Sequence, residues 1–101
     1  RASQGWIAYA DVLLASGDPS ASRIAVAEAI AIEGNPDAYL LRRAIISRME
    51  KDFDGALTHL RRLVRNKPTE GFAHWLLAKT AVGKDRKTMA QVELSAIENR
   101  L

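Results

Sequence analysis

A chain of 101 residues is one domain's worth of sequence, and its 48% hydrophobic content, with only 6% aromatic, leans on alanine, leucine and isoleucine. It has no cysteine, which excludes disulfides and thiolate metal sites, and no apolar run approaches the roughly 18 residues that a membrane-spanning helix needs. The net charge of +3 is small and dispersed, so it favours acidic partners only weakly. The chain begins at Arg1 rather than at methionine, so a fragment or a processed chain is expected.

In chain order, the first helix carries Trp6, Ala10 and Leu13 on one face and ends near Gly17. Asp18 and Pro19 open a second helix, and Gly34 suits the left-handed residue that closes it. Asn35, Pro36 and Asp37 mark the next start: a side-chain acceptor, a preset φ and a negative charge at the positive helix end. That helix runs to about Lys51, and Asp52 caps a fourth. Phe53, Ala56, Leu57, Leu60, Leu63 and Val64 recur there at steps of three and four, which puts them on one face. The helix stops before Pro68, which restricts Lys67. A fifth helix is expected over 69–82, closed by Gly83, and a sixth over about 85–100. No segment alternates with period two, so no strand is expected.

The helices repeat with a step of 34 residues and no gaps. Ala10, Ala44 and Ala78 form one series, and Ser22, Ala56 and Ala90 a second. Val26, Leu60 and Leu94 keep the same step, as do Ala29, Leu63 and Ile97, and Ile7, Leu41 and Trp75. Short turns force neighbouring helices to pack antiparallel. Small residues let two helices cross closely, and each repeat covers the stripe of its neighbour. The expectation is an all-α fold: one α-α superhelix, or solenoid, of three antiparallel helix pairs spanning 1–101, with repeats at about 3–36, 37–70 and 71–101.

This pattern resembles the tetratricopeptide repeat (TPR) family, whose period is also 34. The second repeat is most similar, at Leu40, Ala44, Phe53, Ala56, Leu60 and Pro68. Trp6, Ala10, Gly17 and Pro36 carry the resemblance in the first, and Leu77, Ala78, Ala90, Leu94 and Ile97 in the third. Arg43 and Ser47 depart from the family's leucine and tyrosine, and Lys87 from its usual aromatic. Glu98 stands where Ile30 and Val64 stand in the other repeats, as expected of a terminal repeat that faces water near Leu101.

The resemblance implies a concave groove lined by the first helix of each repeat. Its lining would be Gln4, Ile7, Asp11 and Leu14, then Ala38, Leu41, Ile45 and Arg48, then Phe72, Trp75, Lys79 and Val82. Such an apolar lining suits an apolar or amphipathic segment of a protein or peptide, with Trp75 and Leu41 as anchors and Arg48 and Lys79 steering acidic groups. The lysine and asparagine clamp by which some relatives hold C-terminal carboxylates is absent, because Ile7, Asp11, Leu41 and Ile45 occupy the corresponding positions.

Other chemistry is weakly signalled. His59 and His74 fall on different helices, without metal-ligand spacing. Asp52 and Asp54 read as a helix start, and no phosphate loop or nucleophile triad occurs. Arg61, Arg62, Arg65 and Lys67, with Arg42 and Arg43 nearby, suit phosphate electrostatically but read as a solvated helix face. No aromatics interleave them, so no nucleic acid is expected. The expected role is therefore a non-catalytic scaffold without a cofactor. Alternatives are an accessory module of a larger enzyme, secretion or assembly protein whose own chain fills the groove, or self-association.

Overall fold

Asp18 and Asp52 begin the second helix of their repeats, and each does so by a side-chain cap. Asp18 Oδ1 accepts from Ala21 N at 3.1 Å, and Asp52 Oδ1 from Gly55 N at 3.0 Å. Each such cap contributes about 1 kcal/mol. The residue before each cap, Gly17 (φ 80°) or Lys51 (φ 62°), is left-handed. These two turns organise the computed structural model, which describes residues 2–100. Helix α1 (Ala2–Ala15) is followed by α2 (Pro19–Glu33), a 3-10 turn (Pro36–Tyr39), α3 (Leu40–Met49), α4 (Phe53–Asn66) and α5 (Gly71–Arg100). No strand occurs among the described residues. The expected limits of the domain at Arg1 and Leu101 lie outside them.

Helices α1 and α2 form an antiparallel hairpin. Ser3, at the start of α1, donates to Glu33 at the end of α2 at 2.8 Å. Helices α3 and α4 form a second. Asp37 there accepts from Asn66 at 3.2 Å and pairs with Arg62 at 2.8 Å. Ser3 and Asp37 are 34 residues apart in sequence, so both hairpins close their open ends at the same register position. Small residues sit at the crossings of the first two pairs as expected, with Ala10, Ser22, Ala44 and Ala56 fully buried, whereas Ala78 and Ala90 of the same series are exposed.

The core continues from hairpin to hairpin. Ala10, Ala25, Val26 and Ala29 pack with Tyr39 and Ile46 of the next pair. Ala44 and Leu60 pack with Leu76 of α5, while Leu40 and Leu63 pack with Ala73.

Two expectations are corrected. Asn35 makes no side-chain cap, and Pro36 opens a 3-10 turn before the α-helix begins at Leu40. The larger correction concerns the third pair. Residues 71–100 form one unbroken helix rather than two, so Gly83 is helical and the third hairpin is open. The register explains why. The positions of Gly17 and Lys51 correspond to Asp85, and those of Asp18 and Asp52 to Arg86. Lys51 shows that a non-glycine can take the left-handed position, so the difference lies in the cap: arginine cannot accept the hydrogen bond that Asp18 and Asp52 accept. Gly83 itself is equivalent to Ala15 and Met49, which are helical in their own repeats.

Contacts with the second hairpin hold this stretch straight. A Cβ on Gly83 would lie 2.9 Å from the Phe53 ring, so α5 passes close there. Lys84 pairs with Asp54 at 2.7 Å, and Lys87 donates to the Lys51 carbonyl at 3.1 Å. Beyond them α5 runs free. The radius of gyration is 16.0 Å, with extents of 58 × 30 × 20 Å, against about 13 Å for a compact chain of this size.

Candidate binding groove

The expected groove positions fall into two groups. Ile7, Leu14, Leu41 and Ile45 are half-buried and pack against the core clusters that join successive helices. Much of their surface is therefore committed to the fold. Phe72, Trp75 and Lys79 are exposed on α5 and touch one another. The rings of Phe72 and Trp75 stack with centroids 5.5 Å apart, and Lys79 Nζ lies 5.0 Å from the Trp75 ring. A face-on ammonium at that distance is attracted by the ring quadrupole. Trp75 keeps 52% of its surface exposed.

Arg48 reaches the same region from the end of α3. It lines an open groove of about 650 Å³ with Met49, Phe53, Ala78, Lys79 and Val82. Arg48 Nε is buried and has no hydrogen-bond partner. An unmet buried donor is costly, and a ligand acceptor would relieve it. The structure thus brings Arg48 and Lys79 into one groove, with Trp75 and Phe72 following Lys79 along α5.

Asp11 is occupied otherwise. Arg42 donates to both its oxygens, at 2.9 and 3.0 Å. The hydrogen bonds from Arg42 hold the Asp11 carboxyl below its usual pKa, against a smaller opposing effect of burial. Asp11 therefore ties α1 to α3. The basic set also loses members to ion pairs: Arg42 to Asp11 and Arg62 to Asp37, leaving a broken pattern of cations.

One feature escaped sequence reading. A cleft of about 200 Å³ lies between α2, α3 and α4, lined by Arg23, Ile30, Arg43, Ser47 and His59 among others. Arg43 and Ser47 are two of the positions that depart from the repeat family's pattern, which was the available signal. A small buried serine leaves room where that family has tyrosine. Burial, then the charges of Arg43 and Arg23, push the His59 pKa below its usual 6.5. Arg23 is itself paired with Glu50.

His74 does not approach His59's cleft; its ring bonds the Pro68 carbonyl at 2.8 Å across the turn into α5. Among the described residues no cluster of three or more histidine, aspartate or glutamate side chains is placed to hold a metal ion. No described helix is long and apolar enough to cross a membrane. No family model, curated protein or solved structure matches the chain.

Proposed function

We propose that this chain is a TPR-like solenoid module, non-catalytic, whose role is to hold a peptide or helix of a partner protein. The observation that carries this reading is the solvent-facing row Phe72, Trp75 and Lys79 beside the unmet Arg48 donor. Exposed stacked aromatics next to cations have little structural purpose on a free helix, but they are what an amphipathic segment with acidic flanks requires. Two hairpins closed at the same register position, sharing a core from one to the next, support the solenoid reading. The half-buried Leu41 and Ile45 would form the groove floor and Trp75 its main anchor.

The test is capture of partners by the intact chain and by the Trp75→Ala and Arg48→Gln variants. Trp75→Ala should cost about 2 kcal/mol of binding or more, roughly a thirtyfold loss. Arg48→Gln should weaken acidic segments selectively. Capture unchanged by both substitutions would reject the groove.

A further inference from the structure

Helix α5 carries a second pattern, which begins at the register positions Trp75, Ala78 and Val82 and continues beyond them. Trp75, Ala78, Val82, Asp85, Met89, Val92 and Ala96 follow one another at alternating steps of three and four. All seven are exposed, Met89 and Val92 by more than three fifths of their surface. The opposite face, Ala73, Leu76 and Thr80, is the one buried against the second hairpin. Ala78 and Val82 open into the Arg48 groove, and beyond Gly83 every described side chain of α5 is exposed, Leu94 and Ile97 included. Six of the seven stripe residues are apolar and Asp85 interrupts them at the centre. Apolar heptad spacing marks a helix that pairs with another helix, and a single polar residue in the seam fixes register at a cost in stability. An isolated surface helix needs no apolar stripe on its solvent side.

We infer that this face binds a second copy of the chain, α5 against α5, antiparallel about a two-fold axis near Arg86. Two features select this occupant. The stripe has the length of α5 itself, so an identical helix covers all of it, and a two-fold contact covers both copies at once. The flanking charges also choose the orientation. Lys79, Arg86 and Glu93 follow one edge of the stripe at heptad spacing. In an antiparallel pair this edge meets its own copy, which sets each Lys79 beside the other copy's Glu93. In a parallel pair the same edge would meet His74, Ala81, Thr88 and Ser95, which offer no carboxylate. At the axis the two Arg86 side chains face each other, with the Asp85 carboxylates beside them to offset the repulsion. Trp75, Ala78, Lys79 and Val82 belong to both surfaces, so a groove ligand and a second copy compete. The pairing does not depend on the groove reading, because Met89 and Val92 lie outside the groove.

The intact chain is to be followed by sedimentation equilibrium from micromolar to millimolar concentration. A mass rising from 11.1 kDa to twice that value is expected. Val92→Glu and Met89→Glu should each abolish the rise while circular dichroism shows the helix retained. Lys79→Glu and Glu93→Lys should each weaken pairing, and the double reversal should restore it. As a check independent of affinity, Val82→Cys/Val92→Cys chains labelled with 14N and 15N are mixed and oxidised. Ten helical residues span about 15 Å, too far for one chain to bridge itself, so peptides of hybrid mass joining 82 to 92 are expected. A monomer at every concentration, an association indifferent to Val92→Glu and Met89→Glu, failure of the double reversal to restore pairing, or absence of hybrid peptides would each overturn the proposal.

Discussion

Ser22 on α2 donates its hydroxyl hydrogen bond to the Ala10 carbonyl on α1 at 2.9 Å, with both residues fully buried. The two helices approach closely enough there for a serine side chain to reach the facing backbone. Ser22→Ala should cost about 1 kcal/mol in chemical denaturation, the net value of one such bond. Ser22→Leu should cost more, about 1–3 kcal/mol, because the crossing has no room for it. Equal stabilities of the two variants would mean that the crossing is loose.

The turn that fails in the third repeat can be supplied. Asp85→Gly, Arg86→Asp and Lys87→Pro copy Gly17, Asp18 and Pro19 into the equivalent positions. This gives a residue free to be left-handed, a cap and a preset first helical residue. The helix should break there and fold back, burying Ala90, Leu94 and Ile97. X-ray scattering should then show the radius of gyration falling from 16.0 Å toward about 13 Å. An unchanged radius would contradict this account of the open hairpin.

The same turn marks where sequence reading stopped short. Helix starts at Pro19 and Phe53, the small residues at the crossings and the buried stripe of α4 were legible, because capping and a 34-residue step are local and repeated. The open hairpin was less so, although its signals were present. Gly83 and Asp85 look like a stop and a start, but they stand two residues and one residue before the positions that turn in the other repeats. The site was legible in part. Phe72, Trp75 and Lys79 are neighbours by helix geometry alone, whereas the bond between Arg42 and Asp11 depends on how two hairpins stack. The cleft at His59 likewise depends on three helices meeting.

Leu60 and Leu94 occupy the same register position with opposite exposures, fully buried against 56% exposed. Leu60→Ala should cost about 2–5 kcal/mol, by lost transfer energy and the cavity left behind. Leu94→Ala should change stability by no more than about 0.5 kcal/mol, as at other solvated positions. Thermal or denaturant melts of the two variants compare them directly, and a similar cost at both sites would indicate a closed third hairpin.

Stability should also depend on pH through His59. Its folded pKa lies below 6.5, chiefly from burial and secondarily from Arg43 and Arg23. Between the two values the unfolded chain binds more protons than the folded one, so stability rises with pH. The contribution is fully present above the unfolded pKa and is lost as pH falls from there through the folded value. His59→Gln should flatten this part of the stability profile measured by denaturation from pH 7 downward, and an unaltered profile would show that His59 is not its source.

The most direct test of the open third repeat is the distance from residue 71 to residue 99 within one chain. Gly71→Cys and Asn99→Cys would carry spin labels, diluted into unlabelled protein so that only pairs within one chain are read by pulsed electron resonance. A continuous helix separates these positions by about 42 Å, and a single distance population near that value is predicted. In a closed hairpin they would meet as Ser3 and Glu33 do, and a population of about 10–15 Å, the width of two packed helices, would contradict the account.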